Sequence, residues 1–253
     1  MPNAAINQFE MYFEDRGSGT PLLLLHGGLG IGRDWTHVFP SDPDGFRVIV
    51  PDLRGHGRST NPGGTWTFRQ CARDVLALFD WLQVVRTAAI GVSMGAKTLL
   101  HVATMRPEIV TAMVLVSAAP RFEEPLRTAA AAFSRESYER LPDDQKAALR
   151  ARHAHGDQQI LALYDMTRSF ASSTDDLAFT AANLSRVTAR TLVVHGDRDP
   201  LYPVELAVEL HRGIPQSALW VVPNAGHGPI FGPLARTFAA AAMNHLRRTE
   251  DGR

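Results

Sequence analysis

The sequence predicts an α/β fold, a mostly parallel, doubly wound sheet with a helical cap insertion. Three observations predict it. Six short runs are rich in Leu and β-branched residues and apolar on both faces, as strands buried in a parallel sheet are. Segments with 3.6-residue apolar periodicity separate most of them, and this alternation implies right-handed crossovers with helices on both faces. Between residues 121 and 190 the strand signal stops while the helical one continues.

In chain order, residues 21–27 (PLLLLHG) and 46–52 (FRVIVPD) form the first two strands. A helix over 67–82 carries Phe68, Cys71, Ala72, Val75, Phe79 and Leu82 on one stripe, with Thr67 as its N-cap. Residues 87–93 (TAAIGVS) are the third strand. The helix after Ser93 repeats Ala96, Leu99, Leu100 and Ala103, and Pro107 closes it. Residues 112–119 are the fourth strand. The interval 121–190 has helical stripes such as Ile160, Leu163 and Tyr164, acidic helix starts at Asp143, Asp144, Asp175 and Asp176, and Gly156 between two helices. Strands at 191–197 and 218–224 follow, with helices at 204–211 and 234–246. The division is therefore a core of residues 1–120 and 191–253, with 121–190 as a cap over the carboxyl edge of the sheet, where open α/β sheets bind ligands.

Composition narrows the function classes. The chain has 253 residues and 45% hydrophobic content, enough for one large domain with a sizeable core. Lysine plus arginine equals aspartate plus glutamate at 26 each, so no net field draws the chain to nucleic acid or an acidic membrane. A small-molecule substrate is the expected partner. Cys71 is the one cysteine, which excludes an internal disulfide and fits a reducing compartment. The histidines lack metal-ligand spacing, and neither metal nor cofactor is expected. The N-terminus lacks a basic start with an apolar core behind it, and no run approaches 18 apolar residues. A cytoplasmic location without a membrane span is the expectation.

The chemistry centres on residues 88–100, AAIGVSMGAKTLL. Ser93 directly follows an apolar strand and directly precedes a helix, with Gly91 and Gly95 two residues to either side. In that setting G-x-S-x-G places a nucleophile on a sharp turn, where side chains at the glycines would strike neighbouring backbone. The helix start behind it favours a developing oxyanion. A serine hydroxyl also needs a base, and the base an orienting acid. Residues 191–203, TLVVHGDRDPLYP, put Asp197 and Asp199 just past a strand end, and residues 220–230, WVVPNAGHGPI, put His227 past the last strand. The residues alone leave Asp197 and Asp199 both open as the acid.

These segments, together with LLLLHGGLG at 22–30 and VIVPDLRGHGRS at 48–59, resemble the α/β-hydrolase superfamily over nearly the whole chain. The resemblance implies a Ser93, Asp199, His227 triad, with Asp199 chosen over Asp197 and the main-chain N–H groups of Gly28 and Met94 as oxyanion hole. It leaves Asp197 to fix a turn, His26 and His56 to order their loops, and Asp52 and Arg54 to pair with each other or with backbone. Lys97 is read as an amphipathic stem covering apolar surface, placed where it can modulate the site. Serine at the elbow sets the chain apart from haloalkane dehalogenases and epoxide hydrolases, which use Asp there.

The implied activity is that of a serine hydrolase cleaving a small to medium apolar carboxylic ester or lactone through an acyl-enzyme. Carbon–carbon bond hydrolases and haloperoxidase or perhydrolase types share the triad and remain alternatives. A small-molecule receptor on the same fold is an alternative of another class. Trp66, Tyr138, Tyr164 and Phe170, with Phe133 and Met166 nearby in sequence, suggest an apolar, partly aromatic substrate pocket.

Overall fold

A computed structural model describes residues 3–248. Its sheet contains β1 (Asn3–Ile6), β2 (Phe9–Gly17), β3 (Thr20–Leu25), β4 (Phe46–Pro51), β5 (Thr87–Val92), β6 (Val110–Val116), β7 (Arg190–Gly196) and β8 (Ser217–Val222). The spatial order is β1-β2-β4-β3-β5-β6-β7-β8. Strands β3 to β8, the six expected, pair in parallel. The N-terminal pair β1 and β2 extends the sheet antiparallel.

That hairpin is absent from the sequence expectation because β2 lacks a continuous apolar run. Its signal is alternation: Phe9, Met11 and Phe13 are buried while Glu10 is exposed, the period of a strand with one face covered. Asn7 and Gln8 join the two strands at φ 43° and 68°, the positive pair that a two-residue primed turn requires.

The pleat divides the core into two layers. Leu23, Leu25, Ile49 and Ala89 face one apolar cluster, and Leu22, Leu24, Val48, Val50 and Ile90 face the other. Helices α1 (Phe68–Leu82) and α2 (Met94–Met105) pack on the first face. Thr67 caps α1 as expected, its hydroxyl accepting from the Gln70 N–H at 2.9 Å.

Between β6 and β7 the chain forms α3 (Glu124–Ala131), α4 (Arg135–Glu139), α5 (Asp143–Arg152), α6 (Gly156–Ser169) and α7 (Ala181–Leu184). Gly156, at φ 71°, opens α6 just beyond α5. Helix α8 (Val204–Gly213) lies with the first layer, and α9 (Ala235–Arg247) covers the second through Phe238, Ala242 and Leu246. Among the described residues no helix is long and apolar enough to cross a membrane.

Two expectations about polar residues change. Asp176 does not start a helix of its own; its carboxylate accepts from the Phe68 and Arg69 N–H groups at 2.6 and 3.2 Å, binding the positive end of α1. Arg54 and Asp52 do not pair with each other, and of the expected alternatives Asp52 takes the backbone one. Arg54 makes a buried two-point ion pair with Asp74 on α1, at 2.8 and 2.9 Å, while Asp52 accepts from the Gly32 and Arg58 N–H groups.

Candidate active site

β5 and α2 meet within one residue at Ser93, which takes φ 50° and ψ −107°. This is sparsely populated backbone for a residue with a side chain, held because both flanks are fixed. A Cβ on Gly91 would come within 2.7 Å of the Ala96 Cα. One on Gly95 would lie 2.6 Å from the His26 carbonyl oxygen and closer still to that of Leu25. The turn therefore fits only with glycine at both positions, and it presents Ser93 at the carboxyl end of β5.

The loops after β7 and β8 bring the partners. The Ser93 hydroxyl is 2.8 Å from His227 Nε2, and His227 Nδ1 is 2.8 Å from Asp199 Oδ2. With Nδ1–H donating to the carboxylate, Nε2 is left to accept the serine proton. The Asp199 side chain is fully buried, and its Oδ1 accepts from the Leu201 and Tyr202 N–H groups at 2.9 and 3.1 Å. Burial pushes this carboxyl up, but the bonds from His227 and the two amides outweigh it, so it sits below the ordinary aspartate value. Asp197 turns away and accepts from the Ala225 N–H at 3.2 Å, tying together the two loops that carry Asp199 and His227.

Gly28 and Met94 line the cavity in front of Ser93. Met94 is the first residue of α2, so its N–H has no acceptor within the helix. Behind Gly28, His26 donates from Nδ1 to the Gly27 carbonyl at 2.8 Å and accepts at Nε2 from the Leu53 N–H at 2.9 Å. Burial lowers its pKa despite the pull of Asp52, which fits a neutral ring that accepts at Nε2. His26 thus holds the loop that presents Gly28, the ordering role expected of it.

The cavity has a volume of about 360 Å³ and a mainly apolar wall. Phe170 reaches it; Trp66, Tyr138 and Tyr164 do not. Trp66 packs edge-on against Phe68 and tilts over Phe170, behind the wall. Tyr138 and Tyr164 pack on each other between α4 and α6, and the Tyr138 hydroxyl donates to Asp157 at 2.9 Å. The apolar side chains of a short helical insertion are consumed in packing its own helices together, which sequence cannot separate from lining a pocket. Leu126 and Ala130 on α3 and Phe133 just beyond it supply that part of the wall instead.

Lys97 also lines the cavity. It is 3% exposed, and its Nζ donates to the Tyr202 hydroxyl at 2.6 Å. Burial lowers its pKa to about 7, with Asp199 pulling it partly back.

A family model for the alpha/beta hydrolase fold matches residues 20–232. The chain belongs to the alpha/beta hydrolase fold family. Among curated relatives it is 28% identical to the 2-hydroxy-6-oxo-6-(2'-aminophenyl)hexa-2,4-dienoic acid hydrolase of Metapseudomonas resinovorans, over 96% of this chain and 89% of that one. Among solved structures it is similar to an N-acyl homoserine lactone degrading enzyme, with TM-score 0.74 and 25% identity over 96% of this chain and 99% of that one. The enol-lactonase of Burkholderia xenovorans LB400 shares the fold at TM-score 0.81 and 23% identity, covering 98% and 100%.

In this alpha/beta hydrolase several supporting residues escaped the sequence reading. Ser117, at φ 48° beyond β6, accepts from the Gly228 N–H at 3.0 Å and so fixes the loop that carries His227. His195 donates from Nε2 to the Tyr202 carbonyl at 2.9 Å, beneath Asp199. Arg152, the last residue of α5, donates to Asp34, and both line the cavity. The available signal was position, since Ser117 and His195 stand at the carboxyl ends of parallel strands, where ligand sites form.

Proposed function

We propose that this alpha/beta hydrolase is a serine hydrolase that cleaves a small to medium carboxylic ester or lactone through an acyl-enzyme on Ser93. The observation that supports this most is the unbroken line of hydrogen bonds from Ser93 through His227 to the buried Asp199, opening onto a mainly apolar cavity. Ser93 Oγ attacks the substrate carbonyl carbon as its proton passes to His227 Nε2, and Asp199 stabilises the imidazolium through Nδ1–H. The Gly28 and Met94 N–H groups hold the oxyanion; one such donor is typically worth on the order of 100-fold in rate. His227 then protonates the leaving oxygen. Water, deprotonated by His227, attacks the acyl carbon, and Ser93 departs with its proton restored. Substrate and water alone balance the cycle. The 121–190 helices act as the cap that encloses the acyl group.

The lactone-degrading relative supports the ester and lactone reading. A second reading, carbon–carbon bond hydrolysis, is favoured by the Metapseudomonas relative, which bears the name of a dienoic acid hydrolase and aligns over almost the whole chain. Time courses on p-nitrophenyl esters from acetate to octanoate, on N-hexanoyl homoserine lactone and on a 2-hydroxy-6-oxohexa-2,4-dienoate separate the two. We expect ester or lactone turnover in the parent and its loss in Ser93→Ala. Turnover of the dienoate alone would replace this reading with the second, and a folded parent inert on all three would move the receptor alternative ahead of both.

A further inference from the structure

Lys97 stands one helical turn beyond Ser93 on α2, with its whole side chain inside the protein. Its one hydrogen-bond partner among the described residues is the Tyr202 hydroxyl, and none of their carboxylates forms an ion pair with it. Asp199, the acid that acts on it through space, is committed to His227 and to two main-chain amides. Three rings surround the amine: Tyr202 at 4.6 Å, Phe68 at 5.4 Å and Phe122 at 6.0 Å from their centroids. A lysine kept only to cover apolar surface sends its amine to water, where hydration is free. This one does not. Burying an ammonium without a counter-ion is costly unless something supplies the missing charge.

Tyr202 completes the arrangement. Burial and Asp199 hold its phenol well above the ordinary tyrosine range, so it remains an O–H donor at any physiological pH. Because its oxygen already accepts from Lys97, its own hydrogen is left to point elsewhere. Lys97 and Tyr202 both line the cavity onto which Ser93 opens. Two donors, one of them cationic, therefore share one part of the wall, which suits one oxygen of a single negative charge; the other cation lining the cavity, Arg152, is already paired with Asp34.

We propose that Lys97 and Tyr202 form a carboxylate-accepting end of the cavity, so that the substrate carries a free carboxylate besides the acyl carbon that Ser93 attacks. This rests on the hydrolase reading above and makes Lys97 a specificity-determining residue. A phosphate dianion fits less well, because a single cation sits on that part of the wall. Burial lowers the pKa of the amine, and an adjacent carboxylate favours its charged form. Binding of the anion should therefore be accompanied by proton uptake at neutral pH.

The test compares p-nitrophenyl monoesters of adipate and suberate with p-nitrophenyl hexanoate and octanoate, in the parent, Lys97→Met and Tyr202→Phe. We expect the charged-to-neutral ratio of kcat/KM to exceed one in the parent, to fall at least about ten-fold in Lys97→Met and to fall less in Tyr202→Phe. Calorimetric titration of adipate, in two buffers of different ionisation enthalpy, into Ser93→Ala and into Ser93→Ala with Lys97→Met reads the site without turnover. The first should bind with proton uptake; the second should bind at least about ten-fold more weakly and with less uptake. Melting temperatures check that each variant folds. Neutral-ester turnover with an unchanged ratio overturns the Lys97 proposal and leaves the Ser93 reading standing. Adipate binding that depends on Lys97, in a protein that cleaves no ester, does the reverse.

Discussion

Asp199 carries its charge in a place where burial alone would remove it, because three donors meet its two oxygens. Its depressed pKa means that the folded state gains stability from the ionised form above the unfolded aspartate value of about 4 and loses that gain as pH falls through the lower folded value. Urea unfolding at pH 5 and pH 3 should show that loss in the parent and a smaller one in Asp199→Asn. The same substitution should lower kcat on the best ester by roughly 10⁴-fold, since an amide that donates to Nδ1 fixes the wrong tautomer of His227. A kcat within ten-fold of the parent would remove Asp199 from the triad. At this scale Ser93, His227 and Asp199 were legible because each stands in a short motif next to a strand end. Lys97 and Ser117 were not, since their roles depend on Tyr202 and Gly228, more than a hundred positions away.

The turn between β5 and α2 works because two backbones approach where side chains cannot fit. Gly95→Ala should cost about 3 kcal/mol or more, lowering Tm by roughly 6–12 °C, because the new Cβ would meet the Leu25 and His26 carbonyls. A Tm within 2 °C of the parent, about the shift that 1 kcal/mol produces in a domain this size, would show that the turn can relax. The loop after β4 is pinned differently, by the buried Arg54–Asp74 pair. Arg54→Ala strands the Asp74 charge and should cost about 3–5 kcal/mol, read as a lower urea midpoint with an unchanged m-value. The six parallel strands were readable because strands buried on both faces carry unbroken apolar runs. The β1–β2 hairpin was not, because one face of β2 is exposed and polar residues alternate with its buried ones, so it has no unbroken apolar run. Asp176 misled for a related reason: an acidic residue satisfies a helix N-terminus equally well on its own helix or on another, and sequence does not say which.

Across the whole molecule, the helices between β6 and β7 are fastened to the core through the loop after β4. Gln159 donates to the Gly55 and Gly57 carbonyls, His153 accepts from the Gly57 N–H, and Arg152 reaches Asp34 on the loop that presents Gly28. Gln159→Leu leaves the two buried carbonyls without that donor, so amide hydrogen exchange should quicken across residues 54–60 and 153–160 while β5 and β6 stay protected. Uniform exchange in both regions would mean that the helices between β6 and β7 open together with the sheet as one unit. The fold class and the three residues that the fold brings into one hydrogen-bonded line, Ser93, His227 and Asp199, were visible in the sequence, whereas the cavity wall was not, because it is assembled from α3, α6 and the loops after β3 and β7, none of which is near the others in the chain. The central claim is that this assembly makes Ser93 a nucleophile. Intact-mass measurement after exposure to a fluorophosphonate tests it without knowledge of the substrate. The account predicts one adduct per chain, mapped by peptide digestion to Ser93, absent from Ser93→Ala and formed at least about a thousand-fold more slowly in His227→Ala. A folded parent that stays unlabelled, or an adduct on any other residue, would contradict it.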